Sequence, residues 1–441
     1  MPRSAPVKKA RLIQHSAGLR TIEPQNDLMK GPHPTLWTCL IAILIMTLTA
    51  HAQKLGGKPL VPPPGARELL AALNDPMKSA DTKAMSQLVF RMWGRQALMK
   101  GKAGARVEDT TAAWAVISKD PARVVDARGM LIGQMKSIGE EGLQALALEL
   151  PNFNEFQYRV EASGMTLLAG TTRIESYPRP PEAIPDPALP QGRLEKFEWR
   201  ESKVFPNTVR NVVVYIPAQY QAGQPASLMV WQDGSRHADP AGSMRATVVM
   251  DHLIARGDMP VTIGVFIDPG RSLKQKPEDN KTPNRSFEYD SLGDAYVGFV
   301  LDEILPQVRQ RYSLTWSDKP EDHAIAGGSS GGICAFNAAW ERPDQFRKVL
   351  TWVGSFVNLR GGHVYPAIIR ETERKPLRVY LLDGSNDLDN PYGNWPIANK
   401  NMAASLKYMG YDYRFDFGEC FHGSKAMSAS LPEALKWLWR K

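Results

Sequence analysis

The stretch HAIAGGSSGGICAFNAAW, from His323 to Trp340, constrains the fold more than any other part of this chain. A short apolar run stops at Gly327, a Gly/Ser cluster follows, and Ile333, Cys334, Phe336, Asn337 and Trp340 then recur at helical spacing. The pattern predicts a strand, a sharp turn and a helix. In that setting a G-x-S-x-G pentapeptide acquires chemical meaning, because a serine forced into the turn holds its hydroxyl out above the sheet. The next backbone N–H, at the head of the helix, then faces any oxyanion formed there. Two registers fit: Ser329 between Gly327 and Gly331, or Ser330 between Gly328 and Gly332.

Around this stretch, strand-like and helix-like segments alternate from Gly192 onward. Strands are expected at 196–205, 209–216, 228–232, 261–267, 324–326, 348–353, 377–382 and 413–417, and helices at 243–256, 291–312, 331–340, 394–409 and 430–440. Two leading strands followed by such alternation predict a single α/β domain over 192–441 with a mostly parallel central sheet. Ligands in such sheets bind at the carboxyl ends of the strands, where the serine turn falls.

A serine is a poor nucleophile until an adjacent base takes its proton, and a carboxylate must hold that base in the right tautomer. On a sheet that carries its serine at such a turn, the order along the chain is nucleophile, acid, histidine. After residue 52, His237, His252 and His323 precede the serines, and only His363 and His422 follow. His422, in the loop after the last expected strand, is the expected base; His363 precedes the acid loop, although its Gly-Gly-His setting suits a pocket wall. The acid loop LLDGSNDLDN offers Asp383, Asp387 and Asp389. Its D-x-D pair lacks the further oxygen ligands that calcium needs. An oxyanion requires two donors: the Ser330 amide is one, and the Gly234 to Ser235 backbone in WQDGSR is the other expected one, because glycine permits close approach. None of this chemistry requires a metal or an organic cofactor.

The other segments bear on location and partners. Residues 36–48, LWTCLIAILIMTL, followed by Ala50-His51-Ala52, read as the apolar core and cleavage site of a signal peptide, so 1–52 is expected to direct export to the periplasm or beyond. Met29-Lys30 suits the true start, and membrane contact is expected only through this segment if it stays uncleaved. Without residues 1–52 the net charge falls from +8 to +4. With no concentrated basic stripe, nucleic acid is not an expected partner. Cys334 and Cys420, which remain once Cys39 leaves, are expected as buried single thiols, with a bridge between them as the alternative. Residues 53–108 read as a linker and a helical segment, 109–177 as a small β domain with sandwich-like turn spacing, and 178–191 as a Pro-rich spacer.

Several of these residues carry a resemblance. The segment VWQDG, the run Arg285 to Asp290 (RSFEYD), IAGGSSGG, WERPDQF from Trp340 to Phe346, the DGSND loop and the terminal histidine together resemble the putative esterase family of α/β-hydrolases over 192–441. That family includes enterochelin esterases, esterase D, feruloyl and acetyl-xylan esterases and the mycolyltransferases. The resemblance implies an α/β-hydrolase fold. It selects Ser329 as the nucleophile, since the pattern I-A-G-x-S-x-G-G then matches without a shift, and Asp387 as the acid, in a G-x-x-D turn after its strand. It implies Arg285 and Glu288 on a substrate-side loop. It departs in one place, reading C-F-H where the family often reads G-G-H. Trp395, with Tyr392 and Phe356, forms either an aromatic wall for substrate or part of the core.

Residues 109–177, through a Trp114-containing strand and the run EFQYRV from Glu155 to Val160, resemble the immunoglobulin-like early-set domain that precedes enterochelin esterases and starch-branching enzymes. The resemblance implies a carbohydrate or substrate-shaping module; the residues themselves read as a packing appendage with Trp114 in its core. Together these features lead us to expect an exported serine esterase acting on a siderophore trilactone or an acylated polysaccharide. An acyltransferase of the same fold and a non-catalytic carbohydrate-binding protein are the alternatives.

Overall fold

The computed structural model describes residues 63–139, 142–275 and 284–441. The apolar run at 36–48, the Ala50-His51-Ala52 site, Met29, Cys39 and the linker as far as residue 62 lie outside the described residues.

In place of the one helical segment expected within 53–108, the chain forms α1 (Ala66–Asn74) and α2 (Thr82–Trp93), with one-turn helices between and after them. The breaks follow from local chemistry. The Asp75 carboxylate accepts the Met77 and Lys78 amides and that of Asp81 accepts Ala84, so each aspartate starts a new helix. Gly94, at φ +81°, ends α2.

Two four-stranded antiparallel sheets follow. One runs β1 (Arg106–Glu108), β2 (Thr111–Ile117), β6 (Leu143–Glu149) and β5 (Lys136–Ser137). The other runs β4 (Leu131–Gln134), β3 (Ala122–Asp126), β7 (Asn154–Ala162) and β8 (Met165–Ile174). Alternate residues of a strand face opposite sides. One set, including Trp114, Val124, Leu146, Tyr158 and Val160, forms a core between the sheets, with Trp114 fully buried edge-on to Tyr158. The other set on β2 and β6 is alanine-rich and packs under α1 and α2.

The large sheet comprises β9 (Arg193–Trp199), β10 (Thr208–Ile216), β11 (Ser227–Gln232), β12 (Thr262–Ile267), β13 (Arg271–Ser272), β14 (His323–Gly328), β15 (Lys348–Trp352), β16 (Arg378–Asn386) and, after a short hairpin of β17 (Asp389–Asn390) and β18 (Gly393–Asn394), β19 (Asp412–Phe421). Its order is β9-β10-β12-β11-β14-β15-β16-β19, with β13 also on β10. The first three strands are antiparallel; from β12 through β11 to β19 every pairing is parallel. The helices are α3 (Gly234–Ala238), α4 (Ala246–Arg256), α5 (Arg285–Asp290), α6 (Leu305–Tyr312), α7 (Ser330–Glu341), α8 (Tyr365–Glu371), α9 (Trp395–Tyr408) and α10 (Lys425–Trp439). On one face α4 and α10 bury Met229, Trp231, Leu350 and Tyr380. On the other, α6, α7, α8 and α9 bury Leu228, Val230, Ile325 and Val379.

The expected strands and helices after residue 192 are present, except that the strand expected over 196–205 ends at Trp199 and the helix expected over 291–312 begins at Ala295 and passes through a π-helical turn, Val300–Ile304, before α6. Two strands outrun their apolar stretches: β16 continues to Asn386 and β19 to Phe421. Gly384 makes this possible, since a Cβ there would lie 2.4 Å from the Cys420 nitrogen.

A buried ion pair ties α5 to β10. Arg210 Nη1 donates to Glu288 Oε2 at 2.7 Å and Nη2 to Oε1 at 3.1 Å, and neither side chain has any exposed surface. The Gly270 amide also donates to Glu288, and the guanidinium lies 4.3 Å from the centre of the Phe299 ring. Glu288 is therefore a core residue and not the substrate contact that the resemblance implied. Removing one member leaves a buried charge without its partner, so Glu288→Ala is expected to lower stability by about 3–5 kcal/mol, measured by urea unfolding. A variant that unfolds like the parent but binds substrate less tightly would return Glu288 to the substrate side.

Candidate active site

Ser329 ends β14 and heads α7 at φ 57° and ψ −123°, a conformation that side-chain-bearing residues rarely adopt. Neighbouring glycines make the turn possible: a Cβ on Gly327 would lie 2.2 Å from the Gly331 carbonyl oxygen, and one on Gly328 would lie 2.3 Å from Trp352 Nε1. The Ser329 amide donates to the Trp352 carbonyl at 3.0 Å, and the Ser329 carbonyl accepts the Gly332 amide at 2.9 Å. Held this way, Ser329 Oγ lies 2.8 Å from His422 Nε2. Ser330 is instead the first residue of α7 and is buried.

The imidazole arrives through strand pairing. Asn386 at the end of β16 registers with Phe421 at the end of β19, so the residues that follow, Asp387 and His422, leave the sheet side by side. His422 Nδ1 lies 2.5 Å from Asp387 Oδ1, which also accepts the Leu388 amide at 2.6 Å. A carboxylate acceptor puts the proton on Nδ1, leaving Nε2 to accept from the Ser329 hydroxyl. Trp395 packs edge-on to the His422 ring, with 5.8 Å between centroids, and its Nε1 donates to Ser355 Oγ. Ser355 completes the support with an amide that donates to the Ser329 carbonyl and an Oγ 3.4 Å from Ser329 Oγ.

Behind Asp387 sits a second carboxyl. Burial, and next the hydrogen-bonded carboxyl of Asp387, push Asp383 up to about 9, so at neutral pH it is an acid and a donor. Its Oδ1 accepts the Gly384 amide at 2.8 Å. Asp383 Oδ2 and Asp387 Oδ2 are both buried, with the Asn399 side chain also bonding to Asp383. One proton between them satisfies both.

The first amides of a helix have no intrahelical acceptor, and that of Ser330 follows the serine directly. Across the cleft, the Asp233 amide donates to Tyr289 Oη and the Ser235 amide donates to Asp268 Oδ1, while Gly234 lies between them. The glycine is required there for a reason other than substrate approach: a Cβ would lie 2.1 Å from the Phe266 carbonyl carbon, so Gly234 lets α3 pack on β12. Arg285 grips Asp233 with two 2.7 Å bonds and donates to the Gly328 carbonyl, locking this turn to the serine turn. These elements enclose a cleft of about 700 Å³ whose wall includes Ser329, His422, Arg285, Arg236, Arg271 and His237. Burial, partly opposed by the Asp233 carboxylate, pulls the His237 imidazole down to about 4, so it is neutral.

Of the residues expected here, Ser329, His422 and Asp387 come together, Ser330 and Gly234 flank them, and Arg285 lines the cleft. Asp387, Ser330 and Gly234 are buried and not part of its lining, and the two residues expected to touch substrate beside Arg285 do not reach it either. Glu288 is in the core, and Trp395, 2% exposed, braces the imidazole from behind. Phe356 is core, Tyr392 is half exposed, His363 and Asp389 face solvent, and Cys334 and Cys420 are free buried thiols. Sequence reasoning missed Asp233, Ser355 and His237. Asp233 had a signal, since the acid next to the expected oxyanion glycine matches an arginine in RSFEYD; Ser355 and His237 had none.

The carboxyl pair has a consequence for stability. The folded chain keeps a proton on Asp383 that the unfolded chain releases above about pH 4, so the parent loses stability as pH rises from there to about 9. Asp383→Asn keeps a donor toward Asp387 without the titration. Its melting temperature is expected to gain on the parent's between pH 5 and pH 8; parallel curves would mean that Asp383 is ionised.

Comparison with known proteins puts this site in a family. The signature of the Putative esterase family spans residues 202–438. An iron(III) enterobactin esterase of Dickeya dadantii is 28% identical over 171 residues, covering 38% of this chain and 35% of that protein. One from Escherichia coli is 26% identical over 204 residues, 45% of this chain and 46% of its own length. The chain thus spans about a third to a half of the length of the curated relatives it matches. The enterochelin esterase of Shigella flexneri shares the fold at a TM-score of 0.53 and 18% identity, over 76% of this chain and 95% of that one. With the family signature covering more than half of its residues, the chain belongs to the Putative esterase family of α/β-hydrolases.

Proposed function

We propose that this protein is an exported serine hydrolase of carboxylic esters. The observation that carries the reading is the unbroken line of hydrogen bonds from Ser329 through His422 to Asp387, in an open cleft at the carboxyl ends of parallel strands. Ser329 Oγ attacks the ester carbonyl as His422 Nε2 takes its proton, and Asp387 holds the imidazole and offsets the charge it gains. The amides of Ser330 and Gly234 receive the oxyanion, the first reinforced by the positive end of α7. His422 returns the proton to the leaving alcohol, and water then repeats the sequence on the acyl-enzyme. Asp383 keeps Asp387 aimed at the imidazole without adding a second negative charge.

The nature of the ester follows from the wall of the cleft. Arg285 and Arg271 in that wall are paired with Asp233 and Glu198, and Arg236 stands beside them with no ion pair among the described residues, a guanidinium that suits an ester carrying negative charge. The curated relatives are named for iron(III) enterobactin, which supports a siderophore ester ahead of an acylated polysaccharide. Export rests on the leader read in residues 36–52.

Hydrolysis of p-nitrophenyl acetate by the purified protein tests the mechanism. Ser329→Ala and His422→Ala are each expected to lower kcat by a factor of about 10⁴ or more, whereas Ser330→Ala keeps most activity because only its backbone takes part. Full activity in Ser329→Ala would remove that serine from the mechanism. Export is checked separately by sequencing the protein recovered outside the cytoplasm, which is expected to begin at Gln53; an intact leader on that protein would make the segment an anchor.

A further inference from the structure

The small β domain meets the large one at the loop that carries His422. Among the described residues β19 is the last strand of its sheet, and amides on its outer side have no strand partner there. One of them, Phe421 N–H, donates at 3.2 Å to Glu175 Oε1, and Glu175 follows directly on β8 of the small domain. Glu175 is only 5% exposed, and its Oε1 also accepts from Tyr177 Oη. Its backbone serves the same loop from the other end, since the Glu175 carbonyl accepts Lys425 Nζ at 2.7 Å. Glu175 therefore touches the residue before His422 and the residue three places after it.

Two further contacts hold this segment. Asn152 accepts the Ser176 amide at 2.9 Å and donates to the Ser176 carbonyl at 2.8 Å, fixing the chain next to Glu175. The Arg173 guanidinium lies 4.6 Å from the centre of the Phe421 ring, and Arg173 is itself paired with Glu155 on β7. Glu175, Asn152, Arg173 and Glu155 all belong to the small domain, and none of them lines the cleft.

We infer that Glu175 is a positioning residue for the reaction: through the Phe421 amide and Lys425 it fixes the His422 loop, which makes the small β domain a structural part of the active site. The inference rests on the Ser329–His422–Asp387 reading above. Asp387 and Trp395 restrain the ring itself, whereas the backbone that carries it is held on either side, at Phe421 and Lys425, by Glu175. The outer edge of β19 needs an acceptor at Phe421, and the second domain supplies it.

The test uses the full-length protein and p-nitrophenyl acetate. Glu175→Ala is expected to lower kcat by about 10- to 100-fold, the scale of a small misplacement of a reacting group, with KM within about twofold because the cleft wall is untouched. Glu175→Gln keeps an oxygen acceptor for the Phe421 amide and is expected to recover most of the loss. If Glu175→Ala melts far below the parent, Lys425→Met, which removes only the second tether, carries the test and is expected to lower kcat with KM unchanged. Ser329→Ala runs alongside. Its inactivity together with an unchanged kcat in Glu175→Ala, or with equal losses in the Ala and Gln variants, overturns the positioning role and leaves the hydrolase reading intact. Full activity in Ser329→Ala overturns both.

Discussion

The parallel pairing of β16 with β19 is the interaction on which the site depends. Their apolar stretches would pair in any folded form of this sheet, but pairing as far as Asn386 and Phe421 brings Asp387 and His422 to within one hydrogen bond of each other. Gly384 allows it by letting Cys420 come close. The strained serine turn at the end of β14 is the other half of the arrangement, and its unfavourable backbone angles persist because the Trp352 carbonyl and close glycine contacts determine them more than once.

Three buried polar arrangements brace this framework. Arg210 with Glu288 joins an early strand to the helix that presents Arg285, and Arg285 with Asp233 joins that helix to the turn opposite the serine. Asp383 follows a different solution. Instead of meeting a cation it keeps its proton, so the carboxylate beside it stays the single negative charge facing the imidazole. Each arrangement spares the interior an unpaired charge, and together they hold the two walls of the cleft in register.

Much of the site was legible before any fold was known. Chain order singled out His422, and the Gly-rich turn narrowed the nucleophile to Ser329 or Ser330; the resemblance to the esterase pattern then selected Ser329, and Asp387 from the three aspartates of its loop. Trp395 and Glu288 were misplaced for one reason: an aromatic ring or a carboxylate near a reactive loop reads the same whether it faces substrate or core. The glycine at 234 was recognised as necessary, yet the surface it approaches is the backbone of β12.

The sequence by itself determined the alternation of strands and helices and the serine turn, because each depends on side-chain pattern and backbone freedom within a few residues, and with the family pattern it also pointed to Ser329, Asp387 and His422. Only the tertiary structure decided which carboxylates are buried, that Asp383 is neutral, that Trp395 stands behind the imidazole and that Glu175 reaches the His422 loop from 246 residues away in the chain. Those facts rest on burial and on contacts between segments far apart in sequence, and no local pattern encodes the dielectric or the neighbour that a side chain meets once the chain has closed around it.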